Sequence, residues 1–290
     1  MQNLSSPAVI RDIMTRHGFH FSKALGQNFI VNPAVCPKMA EMAGAAPGVG
    51  VIEIGTGIGV LTAELAARAD KVVAIELDKR LLPVLSETLA EFDNITIINE
   101  DVLKVDLHRL IAQQFAGMEV IVCANLPYYI TSPIIMTLLE GHLPIRSITV
   151  MVQKEAAQRI TARPGTRAVG AVSLAVRYYC EPTVLFPVSR GSFLPPPDVD
   201  SAVIRLDLLS APPIDIPDEA CFFRIIKAAF SQRRKTLSNS LSSGLSLSKP
   251  QIGALLEQAG IPATARAEEL SMEQFGSLCT TYCKTRIDKS

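Results

Sequence analysis

One run constrains this chain more than any other: Val51-Ile52-Glu53-Ile54, then Gly55-Thr56-Gly57-Ile58-Gly59, then a helical pattern from Val60 to Ala69. The first four residues read as a short buried strand. Glycines allow a tight strand-to-helix turn and let a ligand approach the backbone closely. The helix amino end offers free N–H groups. From residue 51 the pattern keeps alternating. Strands are expected at 51–54, 72–76, 95–98, 120–124 and 147–153, and helices at 60–69, 79–91, 105–115, 132–140, 154–162 and 171–178. Strands alternating with helices predict an α/β fold, a doubly wound Rossmann-like sheet that is mainly parallel. Ligands of such sheets bind outside the carboxyl ends of the strands. Gly55, Glu76, Asp101 and Asn125 all fall at those ends.

The chemistry of that edge narrows the ligand. Glu76 closes the second strand 21 residues after Gly55, where an acid can take both hydroxyls of a ribose. Asp101, after the third strand, could accept from an adenine amino group, with Val102 beside the ring. A nicotinamide dinucleotide is the obvious rival. Its glycine fingerprint would place the last glycine at position 60, where Val60 stands. Glu53 is also an odd neighbour for a pyrophosphate. Residues 47–106 hold 11 Asp/Glu against five Lys/Arg. An acidic cleft suits a cationic cofactor better than a doubly anionic one. S-adenosyl-L-methionine carries a sulfonium, an ammonium and a free ribose diol, and it is the expected cofactor.

Asn125-Leu126-Pro127-Tyr128 follows the apolar strand Val120–Ala124. A fixed amide oxygen and a nearby backbone carbonyl can accept both hydrogens of an exocyclic amine and localise its lone pair. Pro127 stiffens the turn and brings no N–H. The Tyr128 ring offers a face for stacking a base. The candidate catalytic group is Asn125, Leu126 and Tyr128.

Helices are also expected at 7–17 and from Asn32-Pro33 to about Ala43, with Pro37 an awkward member of the second. A further strand is expected at 201–208. Beyond the linker Ala211-Pro212-Pro213, helical patterns at 218–231, 233–241, 249–259 and 271–284 predict a small C-terminal helical domain. The expected division is residues 1–208 and 209–290. The serine-rich stretch 238–248 reads as a loop. Three cations, Arg233, Arg234 and Lys235, would sit at a helix start, where they oppose the helix dipole unless something anionic faces them.

Net charge is zero, but its distribution is uneven. Residues 143–180 carry six Lys/Arg and one acid, and residues 224–235 carry five Lys/Arg and no acid. Basic segments beside an acidic half suit contact with a phosphate backbone. The six cysteines contain no C-x-x-C pair. Cys279 and Cys283, four apart, lack an evident partner, so reduced thiols and no metal are expected. No apolar run approaches the roughly 18 residues that span a membrane, and Met1–Ser6 lack the blocks of a secretion signal. A cytoplasmic monomer that does not touch membranes is expected.

Six segments together resemble the bacterial small-subunit (16S) ribosomal RNA adenine N6,N6-dimethyltransferases. They are Leu25–Phe29, Glu53–Gly59, Ile75–Asp78, Asn125–Tyr129, Phe193–Val203 and Ala229–Leu237. The family usually has Pro where Thr56 stands. The resemblance implies a methyltransferase sheet and S-adenosyl-L-methionine. It implies Asn28 and Ile30 over the methionine end, Gly55 and Gly57 at the loop, Glu76 on the ribose, Asp101 with Val102 on the adenine, and Asn125 between cofactor and base. The substrate would be two adjacent adenosines in a hairpin near the 3′ end of 16S rRNA, within an immature small ribosomal subunit. Phe193 would stack on the base. Arg159, Arg163, Arg167, Arg233, Arg234 and Lys235 would grip RNA. Two alternatives stay open: a large-subunit rRNA adenine N6-methyltransferase of the antibiotic-resistance type, or an assembly factor acting mainly by binding.

Overall fold

The computed structural model describes residues 3–22, 26–232 and 234–287. In chain order its main elements begin with α1 (Pro7–Arg16), β1 (Phe29–Ile30), α2 (Val35–Ala43), β2 (Val49–Ile54), α3 (Val60–Ala66), β3 (Lys71–Glu76) and α4 (Leu82–Thr88). There follow β4 (Ile95–Asn99), α5 (Leu107–Gln114), β5 (Glu119–Asn125), α6 (Thr131–Glu140), β6 (Ser147–Gln153), α7 (Lys154–Ile160) and α8 (Ala171–Tyr179). The rest are β7 (Cys180–Val188), β8 (Phe193–Leu194), β9 (Ser201–Leu208), α9 (Glu219–Ala229), α10 (Leu237–Leu245), α11 (Lys249–Gln258) and α12 (Met272–Ile287).

The chain divides into two compact units, Met1–Ala157 with Pro182–Leu208, and Gln158–Glu181 with Leu209–Ser290. The expected division put residues 158–181 in the first domain. They cluster with the second because α8 carries Tyr178 and Tyr179. Those rings meet Phe222 and Phe223 of α9 at centroid separations of 5.3–5.5 Å.

The first unit holds the expected α/β sheet, seven strands in the order β4-β3-β2-β5-β6-β9-β7. Strands β4, β3, β2, β5 and β6 are parallel, and β9 runs antiparallel to β6. The strand order reverses at β2 and β5, which creates a ligand crevice at their carboxyl ends. All six residues of β2 are buried, as a central parallel strand requires. One core joins Val51, Ile121, Cys123 and Met151 of the strands to Met39 of α2 and Leu61 and Leu65 of α3. A second joins Ile10 and Ile13 of α1 to Val84 and Leu85 of α4, with Phe29 and Ile58. Pro37 sits in the first turn of α2, where its missing N–H leaves no helical bond unmade.

The structure departs from the sequence reading in three places. Strand β7 was not foreseen, because Pro182 and Pro187 interrupt its apolar pattern. It takes the edge position of the sheet, where a missing donor is tolerated. The two-residue strands β1 and β8 pair antiparallel, Phe29 with Leu194 and Ile30 with Phe193. The third departure is in the helical unit: the helix expected at 233–241 starts instead at Leu237 and, as α10, runs on to Leu245 through the serine-rich stretch read as a loop. Leu237 and Leu241 are fully buried, and Gly244 lies so close to Ala228 of α9 that an added Cβ would stand 2.5 Å from the alanine Cβ. Tertiary packing on that leucine spacing overrides the weak helix propensity of serine. Ser231, Gln232, Arg234 and Lys235, expected at a helix start, instead lie in the turn before α10, and Thr236 is extended at its N-cap. Arg234 and Lys235 are exposed there, just before the N-cap of α10, and Arg233 lies outside the described residues.

Among the described residues no helix is long and apolar enough to cross a membrane.

Candidate active site

A cleft opens over the carboxyl ends of β2, β3 and β5, and it gathers most of the residues singled out above. Asn28, Ile30, Gly55, Gly57, Glu76, Asp101, Val102, Asn125, Leu126, Tyr128 and Phe193 all line it. The glycine loop is held by φ values few other residues adopt: +77° at Gly55, +56° at Gly57 and +92° at Gly59. At Gly57 a side chain would also press on the Phe29 ring, 3.3 Å away.

Glu76 organises this loop. Its Oε2 accepts from the Thr56 N–H and the Thr56 hydroxyl, each at 2.9 Å. Its Oε1 accepts from the Asp78 N–H at 2.8 Å. Three of the roughly four lone-pair sites of a carboxylate are thus occupied. One ribose hydroxyl can be accepted as the site stands, and a diol needs the Thr56 hydroxyl to turn away. A proline at position 56 would supply neither donor, so Thr56 builds a contact that the resembling family usually lacks.

Asp78 extends the network. Its Oδ2 accepts from Gln27 Nε2 at 2.8 Å, and Gln27 Oε1 accepts from the Ser22 N–H at 2.8 Å. The Arg80 guanidinium, bound to Asp78 at 2.6 and 2.8 Å, holds that carboxyl below its ordinary range. Ser22 and Gln27, before β1, are therefore tied to the glycine loop through Asp78 and Glu76. The β1–β8 pairing then carries Asn28 and Ile30 to the cleft wall. Val31 N–H adds a bond to the Ser192 carbonyl at 2.8 Å. Sequence reading singled out neither Gln27 nor Asp78 as a site residue. Their only signal was their place inside two of the quoted segments.

Glu53 lies on the same face of β2 as Val51 and borders the cleft. It is fully buried, and neither carboxylate oxygen has a hydrogen-bond partner among the described residues. Burial pushes its carboxyl up to about 8; the Thr62 hydroxyl opposes this shift and the nearby Glu76 adds to it. An unpartnered carboxyl is costly, and a ligand carrying positive charge would relieve it.

Asn125 ends β5, half-buried, with its backbone carbonyl beside Gly55. No partner for its side-chain amide is found among the described residues. Leu126 is buried and its N–H bonds the Met151 carbonyl at 3.3 Å. Tyr128 shares a 2.7 Å hydrogen bond between its hydroxyl and Ser201 Oγ, which aims the ring. Burial raises the Tyr128 hydroxyl pKa. Tyr129, 59% exposed at the mouth, is an aromatic that the sequence reading left without a role. Asp101 spends Oδ1 on the Leu103 N–H, leaving Oδ2 for a ligand. Phe193 is only 4% exposed and belongs to the core. It also forms part of the cleft wall, opposite Ile30 in the β1–β8 pair.

Residues 18–284 match the sequence model of a family described as ribosomal RNA adenine dimethylase. The chain belongs to that family. Ribosomal RNA small subunit methyltransferase A of Geobacillus thermodenitrificans is 49% identical over 281 residues, covering 96% of each chain. The protein of that name from Alkaliphilus oremlandii is 46% identical over 285 residues, covering 98% of this chain and 99% of the relative. Among solved structures, a dimethyladenosine transferase from Plasmodium falciparum matches with a TM-score of 0.72 at 24% identity, over 89% of this chain and 98% of that one. The 23S rRNA methyltransferase ErmE matches with 0.63 at 27% identity, over 88% and 99%.

As a ribosomal RNA adenine dimethylase the chain is an enzyme, a methyltransferase, and its sheet is the Rossmann-like sheet expected. The basic residues foreseen for RNA lie outside the cleft-bearing unit. Arg159 on α7, Arg163, Arg167, Arg234 and Lys235 are all exposed in the helical unit.

Proposed function

We propose that this dimethylase uses S-adenosylmethionine to dimethylate the N6 amines of two adjacent adenosines in a hairpin near the 3′ end of 16S rRNA, in the cytoplasm, during small-subunit assembly. The observation that carries the cofactor reading is the edge itself. Glu76, Asp101 and Asn125 converge on one cleft whose acids fit a sulfonium and an ammonium, and the buried Glu53 carboxyl borders it. The small-subunit reading rests on relatives at 46–49% identity along nearly the whole chain. A large-subunit enzyme resembles it at 27%.

Bound S-adenosylmethionine supplies the electrophilic methyl group; the protein supplies position. Glu76 and the glycine loop hold the ribose, Asp101 and Val102 the adenine, and Asn28 and Ile30 cover the methionine end. Tyr128, aimed by Ser201, stacks the target base once it is flipped out of its helix. The Asn125 amide oxygen and the Leu126 carbonyl accept from the N6 amine and direct its lone pair. No strong base is needed, because the product ammonium is acidic enough to lose its proton to water. Arg159, Arg163, Arg167, Arg233, Arg234 and Lys235 grip phosphates.

Calorimetric titration tests the cofactor half of this reading. S-adenosylhomocysteine should bind with one site per chain, and NAD should not compete. Competition by NAD, or no binding of the first, would refute it. Glu76→Gln should weaken that binding by about 10–100-fold, the worth of a charge-assisted hydrogen bond. Unchanged affinity would remove Glu76 from the site. Replacing Arg159, Arg163 and Arg167 together by Gln should weaken RNA binding and reduce the slope of log K against log salt by roughly 0.7–0.9 per lost phosphate contact. Filter binding across a salt series measures this, and an unchanged slope would count against the role.

A further inference from the structure

The structure assigns a zinc site to the helical unit, built from Cys221, Cys279 and Cys283. Cys221 lies in the first turn of α9. Cys279 and Cys283 are one turn apart on α12 and share a face. The three sulfur atoms all lie within 4.8 Å of one another. Zinc–thiolate bonds of about 2.3 Å place sulfurs roughly 3.8 Å apart in a tetrahedral site, so closure around an ion needs at most about 1 Å of contraction. Cys221 and Cys279 are buried, while Cys283 is half-buried and gives access from solvent. A fourth position is left for water.

The surroundings are suited to thiolates. Arg224 reaches Cys221 Sγ at 3.8 Å from the exposed side, and its guanidinium is steadied by the Tyr282 hydroxyl at 3.3 Å and the Tyr282 ring. Three thiolates and a zinc ion carry a net charge of minus one, which that guanidinium balances. The Cys279 thiol now donates to the Asp218 carbonyl at 3.7 Å. Zinc would displace the thiol protons and staple the start of α9 to α12. Spacing alone pairs Cys279 with Cys283; the third ligand comes from a residue 58 positions earlier.

The test uses the full chain, stripped of metal under reducing conditions and titrated with cobalt(II) without oxygen. A sulfur-to-cobalt charge-transfer band should saturate at one ion per chain and vanish when one equivalent of zinc is added. Cys283→Ser should weaken binding by more than the roughly 10–100-fold that even an outer-shell change costs. Cys180→Ala, which lies outside the cluster, should leave the band intact. No band, or a band undiminished in Cys283→Ser, would overturn the assignment. If that variant fails to fold, alkylation of the wild-type thiols decides the matter. One equivalent of zinc should block labelling of Cys283 by N-ethylmaleimide, and undiminished labelling would overturn the site.

Discussion

Asn125→Ala should lower methyl transfer by on the order of 10²–10³-fold or more while leaving cofactor affinity within a few-fold of wild type. The expectation follows from where Asn125 stands. Its backbone belongs to β5 and pairs with Met151 of β6. Alanine preserves that pairing and the Gly55 approach. What is lost is a single amide acceptor at the mouth of a rigid strand. Removing one fixed polar group at a reacting centre, or misplacing a reactant by about 1 Å, costs about that much. The burial of Glu53 and the bonds of Glu76 are untouched, so the cofactor should still bind. Single-turnover transfer, measured alongside calorimetric affinity, separates the two effects. Near-normal transfer would remove Asn125 from the chemistry, and lost cofactor binding would give it a structural role instead.

Glu53→Gln should make the cofactor-free protein more stable at high pH and flatten its pH dependence. Glu53 is a carboxyl whose folded pKa, about 8, lies above the ordinary value of about 4.3. Below about pH 4.3 the carboxyl is protonated in both states and costs nothing. As pH rises toward 8 the unfolded chain gives up the proton and the folded chain keeps it. Stability then falls by up to about 1.4 kcal/mol per pH unit. Above 8 both states are ionised and the slope ends. Glutamine does not titrate, so the stability difference between variant and wild type should grow between about pH 5 and about pH 8, as read by chemical denaturation. A constant difference would mean that Glu53 is ionised in the fold throughout. Saturating cofactor should shrink the effect, because a cation beside Glu53 favours its charged form.

The sheet and its working edge were legible because their signals are local. Val72–Ile75 and Val120–Ala124 are short apolar runs, and Val51–Ile54 is one broken only by Glu53; each is followed by the glycine or polar residue that marks a strand end. What escaped depends on partners far apart in the chain. Phe29 and Ile30 are a strand only because Phe193 and Leu194 lie beside them. Phe193 was read as a platform for a base because nothing in its neighbourhood foretells that pairing. Thr56 was noted only as a departure from the usual Pro, and its two bonds to Glu76 appear only when the loop and β3 are seen together. A helix was expected at 233–241, but the run of α10 on through the serine-rich stretch hid behind propensity, although Leu237 and Leu241 carried the helical spacing that packs it. Cys221 joined Cys279 and Cys283 through the packing of α9 on α12, which no spacing rule encodes.

Incubating the enzyme with methyl-labelled S-adenosylmethionine and unmethylated small ribosomal subunits, then digesting the RNA and separating its nucleosides, tests the central claim most directly. The account predicts label in N6,N6-dimethyladenosine from 16S rRNA, confined to two adjacent positions. Label that appears only in large-subunit rRNA, or bound cofactor with no transfer to either RNA, would contradict it.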